Sequence, residues 1–248
     1  MTERTLITFL LDRTGSMNSC KDATIEAFNG YIEALKTGDE ASAIEFTFLQ
    51  FDSVSLDKIC VAEDIHRVKL LTAETYQPRA STPLVDAAFK TIQAVDFALT
   101  KRDDHPKIVI CIQTDGEENA STEHTMSELN ALIKEKSALN WQFNFMGAGI
   151  DAYSQSRQMG IPMASSLSYR KDDRAATLAA FHSSAQRARG FASGATKNTA
   201  FSSEDRRAAG DIHAGKHMDP ISPAIPASDA SATTPKPKAK AIVDDIVL

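Results

Sequence analysis

Cysteine is scarce: Cys20, Cys60 and Cys111 are the only three in 248 residues. An odd count, with no Cys-x-x-Cys pair and no cysteine–histidine cluster, excludes a disulfide framework and a zinc site as organising devices. Cys111 lies in the run Ile108-Val109-Ile110-Cys111-Ile112 and reads as a small buried hydrophobe. Long apolar runs are also missing, and none exceeds strand length, so no membrane span is expected. Leu6 to Leu11 follows Arg4 as a leader would, but it is too short and is broken by Asp12 and Arg13. A cytoplasmic protein is the expectation. Basic charge is not in excess; the net charge of -6 argues against a nucleic-acid partner. Internal repeats and a Walker-type phosphate loop are absent as well.

The composition that is present is ordinary and globular, 42% hydrophobic and 24% charged, and the length allows a sizeable core. Thr5 to Asp12 reads as a strand. Ser19 to Lys36 has a helical face of Ile25, Phe28, Ile32 and Leu35, stopped by Gly38. Ala43 to Phe51 alternates and is rich in aromatic and β-branched residues, a second strand; Val54 to Val61 follows a tight turn and is expected antiparallel to it. Glu63 to Leu71 reads as a short helical turn. Thr82 and Pro83 fit the cap and first position of a helix running to Leu99, with Leu84, Ala88, Ile92 and Val95 inward. Lys107 to Thr114 is a near-continuous apolar run, as for a central parallel strand. A helix over 122–136 with a Thr125/Glu128 capping box, a strand over 141–146, a helix over 151–159, an edge strand over 161–165 and a helix over 172–189 complete the alternation. This pattern predicts an α/β fold: a Rossmann-like, doubly wound, mainly parallel six-stranded sheet with one antiparallel edge strand and helices on both faces.

The domain is expected over 1–190. From 191 to 248 the composition shifts: five of nine prolines lie between Pro220 and Pro237 amid Ala, Ser and Thr, and seven basic residues balance seven acidic ones. That reads as a flexible tail. It includes a short apolar and acidic segment, Ala241-Ile242-Val243-Asp244-Asp245-Ile246-Val247-Leu248, for which docking and a frayed terminus are both open readings.

Chemistry concentrates where the first strand ends. Asp12, Thr14 and Ser16 place three oxygen donors at one tip. In a doubly wound sheet, ligands bind beyond the C-terminal strand ends where adjacent loops leave in opposite directions. If the strand ending at Thr114 is the neighbour of the first, Asp115 joins the tip, and Thr82 reaches it from its own loop. Oxygen-only donors suit a hard cation, Mg2+ or Mn2+. Thr14, Ser16 and Thr82 are neutral donors; if the carboxylates Asp12 and Asp115 act mainly through waters and hydroxyls, the ion stays under-neutralised and receptive to an Asp or Glu carboxylate from a partner protein. No nucleophile or general base is evident beside it.

This set resembles the von Willebrand factor A domain with a metal-ion-dependent adhesion site (MIDAS), whose pattern is Asp-x-Ser-x-Ser, a distant Thr and a distant Asp before Gly. Here these are Asp12-Arg13-Thr14-Gly15-Ser16, Thr82 and Asp115-Gly116. The stand-alone bacterial and phage members are more similar still, through Phe28-Asn29-Gly30, Phe51-Asp52, Tyr76-Gln77-Pro78-Arg79-Ala80-Ser81-Thr82, Thr114-Asp115-Gly116-Glu117-Glu118-Asn119 and Gly147-Ala148-Gly149-Ile150-Asp151-Ala152. The likeness covers about residues 4–188. Thr14 replaces the commoner Ser, and Ala80 stands where Gly is usual. The resemblance implies a metal site of Asp12, Thr14, Ser16, Thr82 and Asp115, a bound Mg2+ or Mn2+, and protein binding without enzymatic activity. Scaffolding, regulation of an AAA+ ATPase and membership of a larger assembly all remain open as roles.

Other readings compete. Thr82 is equally a helix cap, and Asp115-Gly116 a turn. Glu117 and Glu118 read as a solvated rim or as support for a helix N-terminus. His105, His124 and His182 read as surface residues. Gly147-x-Gly149-x-x-Ala152 fits a dinucleotide fingerprint but follows the fifth strand instead of the first. Asp12-Arg13-Thr14-Gly15-Ser16 also resembles the Asp-x-Thr-Gly-Thr of haloacid-dehalogenase-type phosphoryl transfer, with Asp12 as nucleophile; the second Asp usual there is Thr14 here, and the helix follows too soon to leave room for a covering flap. A third alternative is a structural component whose tail docks a neighbour.

Overall fold

The computed structural model describes residues 3–217. Six strands form one sheet in the order β3-β2-β1-β4-β5-β6. They are β1 (Thr5–Asp12), β2 (Ile44–Phe51), β3 (Leu56–Asp64), β4 (Lys107–Thr114), β5 (Gln142–Ala148) and β6 (Ser166–Tyr169). Only β3 runs antiparallel, against β2; the other neighbours pair in parallel. The tight Asp52–Ser55 turn permits nothing else.

β1 is buried along its whole length, which explains its unbroken apolar sequence. Its side chains still alternate. Ile7, Phe9 and Leu11 face α1 (Lys21–Leu35), while Leu6 and Leu10 face α2 (Leu84–Leu99) and α3 (Met126–Ala138). β4 divides likewise, with Val109 and Cys111 on the first face and Ile108, Ile110 and Ile112 on the second. α4 (Ala152–Met159) joins the second face and α5 (Arg174–Ala192) the first. On the first face Phe9 meets Phe28 and Tyr31 edge-on, at ring separations of 5.4 and 4.9 Å. The doubly wound sheet with helices on both faces is therefore as expected, and β4 does lie beside β1.

Several local expectations change. The strand expected over 161–165 forms five residues later: Pro162 leads into a 3-10 turn at Met163–Ser165, and pairing with β5 begins at Ser166. Of the helical turn expected over 63–71, only Ile65–Arg67 is helical, because β3 continues to Asp64. The helix after β1 is preceded by a 3-10 segment, Gly15–Cys20. The Thr125/Glu128 capping box is present.

The ordered domain also extends past residue 190. α6 (Ser203–Ala208) and a short α7 (Ala214–His217) follow α5, and Phe201, Arg206 and Ala209 are buried. Arg206 donates to the Ser166 and Ala164 carbonyls, and Asp211 accepts from the Ser168 N–H. The polar, alanine-rich composition hides these few anchors. The rest of the expected tail, 218–248 with its apolar and acidic segment, lies outside the described residues. No helix among the described residues is long and apolar enough to cross a membrane.

Candidate functional site

The strand order puts the C-terminal ends of β1 and β4 side by side at the point where the chain winds in opposite directions. Asp12 ends β1 with its side chain fully buried. Its Oδ1 accepts the Thr14 N–H at 2.6 Å, and its Oδ2 accepts the Thr114 hydroxyl at 2.5 Å. Thr14 Oγ1 lies 3.2 Å from Ser16 Oγ, which in turn donates to Asp115 Oδ1 at 2.5 Å. Four of the five candidate residues thus form one continuous hydrogen-bonded cluster.

Thr82 completes it from another loop. A Cβ placed on Gly116 would stand 3.0 Å from Thr82 Oγ1, so that hydroxyl rests against the backbone just after Asp115. Glycine at 116 keeps this approach open. Thr82 is not the cap of α2: Pro83 holds that position, and it makes no side-chain capping bond. The β4–α3 loop supplies the cap instead, with Glu118 Oε2 accepting from the Val85 N–H at 2.7 Å and Ser121 Oγ from the Asp86 N–H at 3.0 Å. Glu118 therefore supports a helix N-terminus. Thr82 itself is pinned through its backbone, its N–H to Asn119 Oδ1 and its carbonyl to the Asn119 N–H.

The Thr82 loop is stapled to the β1 tip. Arg79 N–H donates to the Arg13 carbonyl and Gly15 N–H to the Ala80 carbonyl. Both guanidinium groups, Arg13 and Arg79, close on Asp52 Oδ2 at 2.8 and 2.9 Å. Burial works to raise the Asp52 carboxyl, but hydrogen bonds from Arg79 and from the Val54 and Ser55 N–H groups, with the Arg13 charge, hold it below the ordinary range. Tyr76 anchors the same loop by donating to the Asp12 carbonyl at 2.6 Å. Ala80 adopts φ +60°, a left-handed conformation that costs a non-glycine residue energy.

Burial pushes the Asp12 carboxyl up to about 6, against the lowering effect of its bonds from Thr114 and Thr14, and the nearby Asp115 charge adds to the rise. Asp115 has found a cation within the chain: Lys171 Nζ lies 3.1 Å from its Oδ2. The Lys171 stem runs along Gly149, where an added Cβ would stand 3.1 Å from Lys171 Cγ. Among the described residues no group of three or more His, Cys, Asp or Glu could hold a metal. The donors here are two carboxylates and three hydroxyls, an all-oxygen set that fits a hard divalent ion and not a soft one.

Lys171 and Thr114 were not among the residues singled out from sequence. Thr114 sat within the Thr-Asp-Gly motif and a buried hydroxyl at a strand end was its signal. Lys171 carried none, because its placement depends on where β6 ends. His124 is half-buried, stacked on Phe89 at 3.9 Å, while His105 and His182 are exposed. Met17 and Met146 are core residues. At the proposed dinucleotide fingerprint, a Cβ on Gly147 would meet Ile150 and Ala152 side chains at 2.8 and 2.9 Å, so this glycine serves close packing.

No family model matches the sequence, and no curated protein matches it. Solved structures do. A von Willebrand factor type A structure from Catenulispora acidiphila is 15% identical with a TM-score of 0.51, over 76% of this chain and 43% of that one. Proximal thread matrix protein 1 from the mussel byssus is 12% identical at 0.55, over 73% and 46%. The vWF domain of the type V pili tip protein Mfa5 from Porphyromonas gingivalis is 8% identical at 0.54, over 75% and 95%. This chain thus spans less than half of the first two and nearly all of the third. What is shared at such identities is the architecture, and the architecture of this chain is that of the von Willebrand factor A domain.

Proposed function

We propose that the chain is a divalent-cation-dependent protein-binding module. Asp12, Thr14, Ser16, Thr82 and Asp115 would hold Mg2+ or Mn2+, and a partner's Asp or Glu side chain would complete the coordination. When bound, the cation supplies a Lewis-acidic position for that carboxylate. The chain's residues do the rest: Asp12 fixes the Thr14 backbone, Asp115 fixes the Ser16 hydroxyl, and the Arg13–Asp52–Arg79 clamp fixes the loop that carries Thr82. The observation that carries this reading is the convergence of three separate segments on one oxygen-lined cluster, in which burial leaves Asp12 short of positive charge.

The same geometry speaks against a nucleophilic Asp12, and for one that acts on the cation indirectly, through the groups it holds. Both of its oxygens already accept hydrogen bonds and the side chain is sealed. Protein capture in Mg2+ and in excess chelator tests the reading. Asp12→Ala and Asp115→Ala should abolish Mg2+-dependent capture with the fold intact, and equal capture with and without chelator would rule the reading out. Turnover of acetyl phosphate that disappears in Asp12→Asn would establish the phosphoryl-transfer alternative instead.

A further inference from the structure

A groove of about 500 Å3 opens beside the cation cluster, lined by Ile150, Tyr169, Arg170, Lys171 and Ile212 among others. Its lining is mainly apolar, and Ile212 stands 72% exposed at the rim. Lys171 belongs to both places: its stem lines the groove and its ammonium meets Asp115. The groove therefore adjoins the candidate cation site, its apolar trough ending at the Lys171–Asp115 ion pair, with the Arg170–Asp172 pair also on its lining.

The chain itself passes this groove as it leaves the described domain. Gly210, Ile212 and His213 line it, and His217 then lies against Asp151, Nε2 to Oδ2 2.7 Å. Some two dozen residues further on, the sequence reads Ala241-Ile242-Val243-Asp244-Asp245-Ile246-Val247-Leu248. Two adjacent carboxylates are set between apolar residues, which matches the chemistry of the groove: an apolar wall and the Lys171 ammonium at its end. The intervening stretch can span up to roughly 80 Å when extended, far more than this short path requires. A tether of this kind gives a millimolar effective concentration on the order of magnitude, enough for a weak contact to be occupied.

We propose that residues 241–248 of the same chain dock in this groove. Their Ile and Val side chains cover Ile150 and Ile212, and the Asp244–Asp245 pair meets Lys171 and the proposed cation. The segment is then a built-in competitor for the acidic partner. The proposal rests on the cation reading above for its carboxylate contact and on the groove alone for its apolar contact.

The test is a labelled peptide, Ala-Ile-Val-Asp-Asp-Ile-Val-Leu, titrated by fluorescence anisotropy into the full chain and into the full chain carrying Asp244→Asn with Asp245→Asn. The substituted chain should bind the peptide at least tenfold more tightly in Mg2+, because its own segment no longer competes. Adding Ile212→Asp, an exposed position that does not threaten folding, should remove most of that binding. Equal affinity of the two chains, or no binding to the substituted one, overturns the proposal. Concentration-dependent self-association of the parent chain, lost in the substituted one, assigns the segment to a second copy and overturns it too. Calorimetric titration of Mg2+ into the substituted chain separates the two readings. Mg2+ binding without peptide binding overturns the docking alone; peptide binding without Mg2+ binding supports the docking and overturns the cation reading.

Discussion

Lys171 forms an ion pair with Asp115 across the mouth of the crevice, Nζ 3.1 Å from a carboxylate oxygen whose side chain is fully shielded from solvent. In the reading proposed above, this ammonium competes with the cation for Asp115. Breaking such a pair from one side leaves an uncompensated buried charge.

Lys171→Met should therefore destabilise the protein in chelator and tighten its hold on Mg2+ by about tenfold, since no ammonium must be displaced. Thermal melts in chelator and in Mg2+, with calorimetric Mg2+ titration, read both effects. Unchanged or weaker Mg2+ binding would mean that Lys171 positions Asp115 and does not compete for it.

The Asp52 carboxylate, closed upon by two guanidinium groups, gives a second prediction. Asp52→Ala removes the buried partner of Arg13 and leaves it the more exposed Asp57 at 2.8 Å. A loss of about 1–3 kcal/mol is expected, measured by urea unfolding. A loss below roughly 1 kcal/mol would place the clamp with ordinary surface ion pairs.

Asp86 sits at the start of α2 and binds the loop before α3. Burial tends to raise its carboxyl, but N–H donors from Thr122, Glu123 and His124 outweigh this and hold it below the usual carboxylate value of 3.8. A folded-state value below the unfolded one contributes stability that is fully present above the unfolded value and is lost as pH falls through the folded one. Unfolding free energy should thus drop as pH is taken from 5 to 3. Asp86→Asn should remove about 1–3 kcal/mol at neutral pH and flatten that drop. Parallel pH profiles for the two proteins would exclude this assignment.

Ala80 offers a prediction of opposite sign. Its φ of +60° is one that glycine adopts freely. Ala80→Gly should raise stability by roughly 0.5–1 kcal/mol, less the added freedom of the unfolded chain. Thermal denaturation decides it, and a drop in midpoint would show that the Ala80 methyl makes a compensating contact.

The strands were legible because burial on both faces leaves unbroken apolar runs, as in β1 and β4, and the tip cluster because Asp, Thr and Ser at alternate positions end such a run. Ala80 shows a deeper legibility: where the family pattern has glycine, the backbone is left-handed. Thr82 was ambiguous, since a hydroxyl before Pro83 satisfies both a cap and a site, and only the Glu118 and Ser121 contacts to the helix start remove the cap. Lys171 was out of reach, because β6 begins at Ser166, five residues after the expected start, and this moves every later side chain. Phe201 and Arg206 were lost in a polar stretch that gives no periodicity to read.

The outer rim of β6 is closed by the segment that follows α5. Asp211 answers the Ser168 N–H, and Arg206 answers the Ser166 carbonyl. A strand rim left bare is a template on which another chain can add itself. Shortening this protein to residue 190 would thus do more than shed an appendage: it would strip a seal, and the trimmed molecule should stack rim to rim into aggregates that the longer chain resists.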